Sequence, residues 1–211
     1  KIFFLKIIVI FPVLNLNSLM QENTPYVIYS ESTPNPNVMK FVANKLLAKH
    51  SKEVLDISQT GRATLLRQLF SFPFVEEIFI SSNYISIKKN NNIEWMDVTN
   101  QIRIFIQDEL NKNTKIYEPV PRNLKVKNKG KEMTKFLLQV DKVLDNTIRP
   151  SIQMNGGDIE IVSCDDGVLQ IFLKGACSGC PSSQMTLKNG IEVLLKNEFP
   201  EKINTVVAVN D

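Results

Sequence analysis

Cys177 and Cys180, separated by Ser178 and Gly179, are the residues of this chain best suited to chemistry. As thiolates they can bind a soft metal or attack a disulfide sulfur. The residues between them are small, and Gly175-Ala176 precedes them. Small residues let the backbone approach a bulky ligand and let both sulfurs face one way. Pro181 suits the first position of a helix, which places Cys180 near a helix cap. Unpaired N–H groups at such a cap carry partial positive charge and favour thiolate over thiol.

One pair is half a coordination sphere. A structural zinc site and an iron–sulfur cluster each take about four protein ligands. The spare candidates are Cys164 and His50, the third cysteine and the single histidine. Cys164 lies in an alternating strand-like stretch and reads as a small packed residue. His50 is far from the pair in sequence and reads as a surface or core histidine. Two copies of the chain, each offering Cys177 and Cys180, make four thiolates across a two-fold axis. A site shared in this way lies at a surface, and its contents can leave when the dimer opens. The rival reading is a thiol–disulfide oxidoreductase, which also sets CxxC between a strand and a helix. The Ser-Gly interior and the lack of an aromatic residue just before Cys177 fit that reading less well. A third reading is an interaction module whose cysteine pair holds zinc.

The composition narrows the setting. Apolar residues make up 43% of the 211 and charged residues 22%, which describes packed domains rather than a disordered chain. The net charge is +3, with 20 Lys against 5 Arg, so there is no arginine-rich stripe to read nucleic acid. Three cysteines cannot build a disulfide framework, which points to a reducing, cytoplasmic compartment. Ile2–Leu16 is apolar but interrupted by Lys6 and Pro12. It is shorter than the ~20 residues of a membrane span, so no membrane association is expected. Residues 1–24 read as an extension or targeting segment, with the working protein starting near Met20. An organelle import role for it would move the protein to the mitochondrial matrix or another organelle.

The elements that must hold the pair follow from periodicity. Residues 25–117 read as one α+β unit. Tyr26–Glu31 and Val38–Val42 are strands around the rigid turn Thr33-Pro-Asn-Pro-Asn37. A third strand is expected at Glu53–Ile57. A helix over Ala63–Phe70 is stopped by Pro73, and Val75–Ile80 pairs with Tyr84–Lys88 in a hairpin. A further helix, capped by Asp97 or Thr99, runs to about Leu110. Residues 118–131, with Pro119, Pro121, Gly130 and spaced lysines, read as a linker. Residues 132–211 form a second unit. Its first helix carries Phe136, Val140 and Leu144 inward and ends at Pro150. Strands Ile159–Cys164 and Val168–Leu173 turn at Asp165-Asp166-Gly167. The cysteine loop, a helix with Leu187, Ile191, Leu194 and Leu195 on one face, and a strand over Ile203–Val209 complete it. The fold class is α+β: two small α+β domains joined by a basic flexible linker.

Longer motifs carry a family resemblance. Ile148-Arg-Pro-Ser-Ile-Gln-Met-Asn-Gly-Gly-Asp-Ile-Glu160, Gly175-Ala-Cys-Ser-Gly-Cys-Pro-Ser-Ser183 and Thr186-Leu-Lys-Asn-Gly-Ile-Glu192 resemble the C-terminal domain of NifU-like (Nfu-type) iron–sulfur cluster proteins. Ser32-Thr-Pro-Asn-Pro-Asn-Val-Met-Lys-Phe41, Leu69-Phe-Ser-Phe-Pro73 and Ile78-Phe-Ile-Ser-Ser-Asn-Tyr-Ile-Ser-Ile87 resemble the Nfu N-terminal domain. Where the family usually reads Asp-Gly-Gly-Asp, this chain has Asn155. The resemblance implies a non-enzymatic scaffold or carrier for a labile 4Fe–4S cluster bridged between two protomers. It implies an upstream assembly scaffold as donor and apo iron–sulfur proteins as clients. The ligand roles carry over to Cys177 and Cys180 only. The N-terminal domain has no cysteine and is expected to recognise partners.

Overall fold

Five strands of the N-terminal half pair antiparallel in the order β1-β2-β5-β4-β3. They are β1 (Ile28–Ser32), β2 (Val38–Ala43), β3 (Ala48–Val54), β4 (Val75–Ser82) and β5 (Tyr84–Lys89). The computed structural model describes residues 24–62, 64–117, 131–178 and 181–209, with no account of the side chains at 131–134 and 181–183. The apolar segment at the start of the chain, residues 118–130 of the linker and Cys180 lie outside the described residues.

Alternation gives each strand of this sheet two faces. Phe41, Ile78, Ile80, Ile85 and Ile87 point into one core together with Leu65, Leu66 and Leu69 of α1 (Leu65–Leu69). Trp95, Val98, Ile102 and Ile106 of α2 (Trp95–Asn111) close the same core. Two expectations shift here. The third strand starts earlier, at Ala48, and after Val54 the chain makes a short 3-10 turn at Ile57–Gln59 held by the Asp56 side chain. An irregularity between Ala48 and Lys52 breaks the alternation that would have marked the strand. The second helix begins at Trp95 behind Glu94, without a side-chain cap. Asp97 sits inside its first turn, where an acid is favourable to the helix dipole, and Thr99 Oγ1 donates back to Trp95 O at 2.6 Å.

The C-terminal half is built from α3 (Lys131–Thr147), α4 (Arg149–Met154), β6 (Gly157–Asp165), β7 (Val168–Gly175), α5 (Pro181–Glu198) and β8 (Thr205–Ala208). β6 and β7 form an antiparallel hairpin, and α5 crosses back so that β8 lies parallel to β7. Asp166 and Gly167 at the hairpin tip both have positive φ, as a two-residue turn of this hand requires. Val140 and Leu144 from α3, Leu169, Ile171 and Leu173 from β7, and Ile191 and Leu195 from α5 fill this second core. Pro150 does not simply end α3. It falls in the first turn of α4, where its missing N–H costs nothing.

Arg149 ties these parts together. Its Nη2 donates to Asp141 Oδ1 at 2.8 Å and to Ile159 O at 3.1 Å, its Nη1 reaches Asp145, and its Nε lies 3.2 Å from Asp158 Oδ1. One guanidinium thus fixes the end of α3, the start of α4 and the start of β6. Among the described residues no helix is long and apolar enough to cross a membrane.

Candidate functional site

Cys177 lies two residues beyond the end of β7, in the turn that leads toward α5. Register brings that turn against the start of β6, because Gly157 pairs with Gly175 and Asp158 with Lys174. The turn is held by its own backbone. Ala176 N donates to Gly156 O at 3.2 Å, Ser178 N donates to Gly175 O at 3.0 Å, and Ser178 Oγ donates to the same carbonyl at 2.8 Å. Gly157 is there for space. A Cβ at that position would stand 2.5 Å from Cys177 Sγ and 2.7 Å from Lys174 O, closer than side-chain atoms approach.

The thiol is half-buried and edges a cavity of about 410 Å³. Ser151, Ile152, Asn155, Ala176, Thr186 and Leu187 line it from the C-terminal domain, and Pro34 reaches in from the N-terminal domain. Burial pushes the Cys177 thiol up to about 12, and the negative charge of Asp158 adds to that. Cys177 therefore holds its proton in this arrangement. The sequence expectation of helix-cap thiolate stabilisation attached to Cys180, which lies outside the described residues.

The other candidates separate from the site. Cys164 is 3% exposed in the C-terminal core, between β6 and the packed helices. A register shift between Ile161 and Ser163 turns Ser163 and Cys164 inward at the end of β6. His50 sits on β3 in the other domain. Among the described residues no three His, Cys, Asp or Glu side chains are grouped to hold a metal ion.

Several neighbours of the site come from residues that spacing did not mark. Tyr84 Oη donates to Gly157 O at 2.8 Å, and Ser86 Oγ donates to Gly156 O at 2.7 Å. Asn35, from the Pro-Asn-Pro turn, donates through Nδ2 to Ser178 O at 3.3 Å. The signal for Tyr84 and Ser86 was the split character of β5, where Tyr84, Ser86 and Lys88 alternate with Ile85 and Ile87. That split implies a second surface on the sheet but not what covers it.

Comparison with known proteins respects the same division of the chain. A family model described as NifU-like domain matches residues 140–206, and one described as Scaffold protein Nfu/NifU N terminal matches residues 28–113. The chain is 32% identical over 177 residues to the human protein named NFU1 iron-sulfur cluster scaffold homolog, mitochondrial, covering 82% of this chain and 68% of that one. It is 31% identical over 191 residues to a NifU-like protein of Schizosaccharomyces pombe, covering 85% and 71%. The solution NMR structure of a NifU-like protein from Saccharomyces cerevisiae is 18% identical, covers 46% of this chain and 87% of that one, and superposes with a TM-score of 0.38.

Proposed function

Because the chain belongs to the NifU-like (Nfu) family of iron–sulfur cluster scaffold proteins, we propose that Cys177 and Cys180 of two copies hold a labile 4Fe–4S cluster between them. The observation that carries this reading is the position of Cys177. It sits in a strand-to-helix turn, beside a cavity lined largely by apolar side chains, and among the described residues no three His, Cys, Asp or Glu side chains are grouped to hold a metal ion. A second copy supplies the missing thiolates, so the cargo is held at a surface and can be passed on. The protein then acts as a carrier rather than an enzyme. It receives the cluster from an upstream scaffold and delivers it to apo-proteins. Residues 132–211 bind the cluster, residues 25–117 recognise partners, and residues 118–131 join them. The cytoplasmic expectation gains no support from the relatives. Several carry the word mitochondrial in their names, which favours the organellar alternative for this chain.

Anaerobic reconstitution with iron and sulfide tests the reading. About four irons per dimer are expected, and Cys177→Ala or Cys180→Ala should each abolish them. A protein that stays colourless and iron-free sinks the proposal. Zinc found instead of iron would favour the interaction-module reading. Catalytic reduction of a test disulfide would favour the oxidoreductase.

A further inference from the structure

The N-terminal sheet has a second face, and it is not solvated. Lys40 on β2, Phe79 on β4, and Tyr84 and Ser86 on β5 are all buried, although they point away from the aliphatic core. The rim of the C-terminal domain covers them. Besides the Tyr84, Ser86 and Asn35 hydrogen bonds, Lys40 Nζ donates to Met154 O at 3.0 Å and Gly175 N donates to Glu53 Oε1 at 3.0 Å. Five side chains of one domain thus pair with backbone groups at 154–157 and 175–178 of the other. The second segment contains Cys177, and Gly157 of the first lies against its sulfur. Gly175 fits this approach at φ +62, and a Cβ there would meet Phe79 Cδ1 at 2.7 Å and Gly156 O at 2.6 Å. Tyr84 and Ser86 donate across the boundary, and Lys40 bonds both Met154 O across it and Glu31 Oε2 within its own domain at 3.0 Å; buried polar groups paired in this way mark a built contact.

We propose that this sheet face is an intramolecular dock for the cysteine loop, and that the N-terminal domain and a second copy of the chain compete for it. The proposal rests on the reading that two copies share a cluster. Two cysteine loops on a two-fold axis must face each other directly. With Pro34 lining the cavity at Cys177 and Asn35 bonded to Ser178, the N-terminal domain stands where the second loop has to come. The docked chain is the closed, cluster-free form, and bridging a cluster requires the domains to part. The apparent affinity of one copy for another then falls by the fraction of chains that are open.

The test uses the full cluster-free chain and the variants Ser86→Glu and Tyr84→Phe. Ser86→Glu sets a carboxylate against the Gly156 carbonyl while leaving the aliphatic core untouched. Tyr84→Phe removes one hydrogen bond without changing shape. The readouts are the rate at which iodoacetamide modifies Cys177, resolved by peptide mass spectrometry at one pH, and the radius of gyration by small-angle scattering. Ser86→Glu is expected to raise the rate more than tenfold and to expand the molecule, and Tyr84→Phe to raise the rate about fivefold. Ser86→Glu should also load its cluster faster than the wild type. Unchanged rates and scattering in both variants overturn the dock, as does a wild-type chain already as expanded as Ser86→Glu. Opening without faster loading overturns the competition. If neither protein takes up iron, the cluster reading fails, while alkylation and scattering still report on the dock. If Ser86→Glu does not fold, Tyr84→Phe decides.

Discussion

Cys164 and Cys177 are the same residue in opposite surroundings. Cys164 packs among aliphatic side chains between β6 and the helices, whereas Cys177 edges a cavity beside Asp158. The first is structural, so Cys164→Ser should leave iron content after reconstitution unchanged. Its hydroxyl would be buried at 3% exposure, at a cost of about 1–3 kcal/mol. Urea unfolding and iron analysis on one preparation check both halves, and loss of iron from a stable variant would make Cys164 a ligand. The CxxC spacing and the inward role of Cys164 were legible because both are local patterns. Arg149, Asp158 and Lys40 were not, because each joins separate elements: Arg149 pairs with Asp158 on another element, and Lys40 donates to Met154 O, 114 residues away.

At the scale of elements, regular stretches read well and interrupted ones did not. The β4–β5 and β6–β7 hairpins came out close to their expected bounds because alternation and turn residues agreed. β3 was misplaced, since its irregular register hides the period, and Pro150 was taken as a stop when it opens α4. The closing strand was expected, but the contact that fastens it was not. Glu192 on α5 accepts Thr205 Oγ1 and Val206 N of β8 at 2.9 Å each through Oε2, and Lys196 Nζ at 2.8 Å through Oε1. The Lys196 bond, with those from β8 next in weight, holds the Glu192 carboxyl down at about 2. A carboxylate whose folded value is lowered stabilises fully above its ordinary value of 4.5 and loses that contribution as pH falls toward 2. Glu192→Gln should therefore cost about 1 kcal/mol at pH 7, the lysine part being screened by solvent. The gap to wild type should close between pH 4.5 and 2. Urea midpoints across that range measure it, and a gap that persists at the acid end would show that charge is not the cause.

For the whole molecule the two domains were legible and their contact was not. Each domain has its own aliphatic core with its own periodic signal. The surface between them is made of Lys40, Glu53, Tyr84 and Ser86, residue types that a sequence reading assigns to solvent. Glu53 gives this contact a pH dependence. Its carboxylate accepts the Gly175 N–H across the boundary, with Lys174, Lys88 and Glu77 as charged neighbours. Burial is the largest influence on it and pushes the Glu53 carboxyl up; the Gly175 bond and Lys174 offset this only in part. An acid whose value is raised by docking favours the docked state most at low pH, and that advantage is lost as pH rises through the docked value. The ionised form of Glu53 thus works against closure. Glu53→Gln keeps an oxygen to accept from Gly175 and removes the buried charge, so it should tighten the dock at pH 7. The expected result is slower alkylation of Cys177 and a more compact scattering profile than the wild type gives at the same pH. This direction is opposite to that of Ser86→Glu, so general loosening by mutation cannot mimic it. Faster alkylation in Glu53→Gln would mean that the charge-assisted bond to Gly175 outweighs the cost of burying the carboxylate.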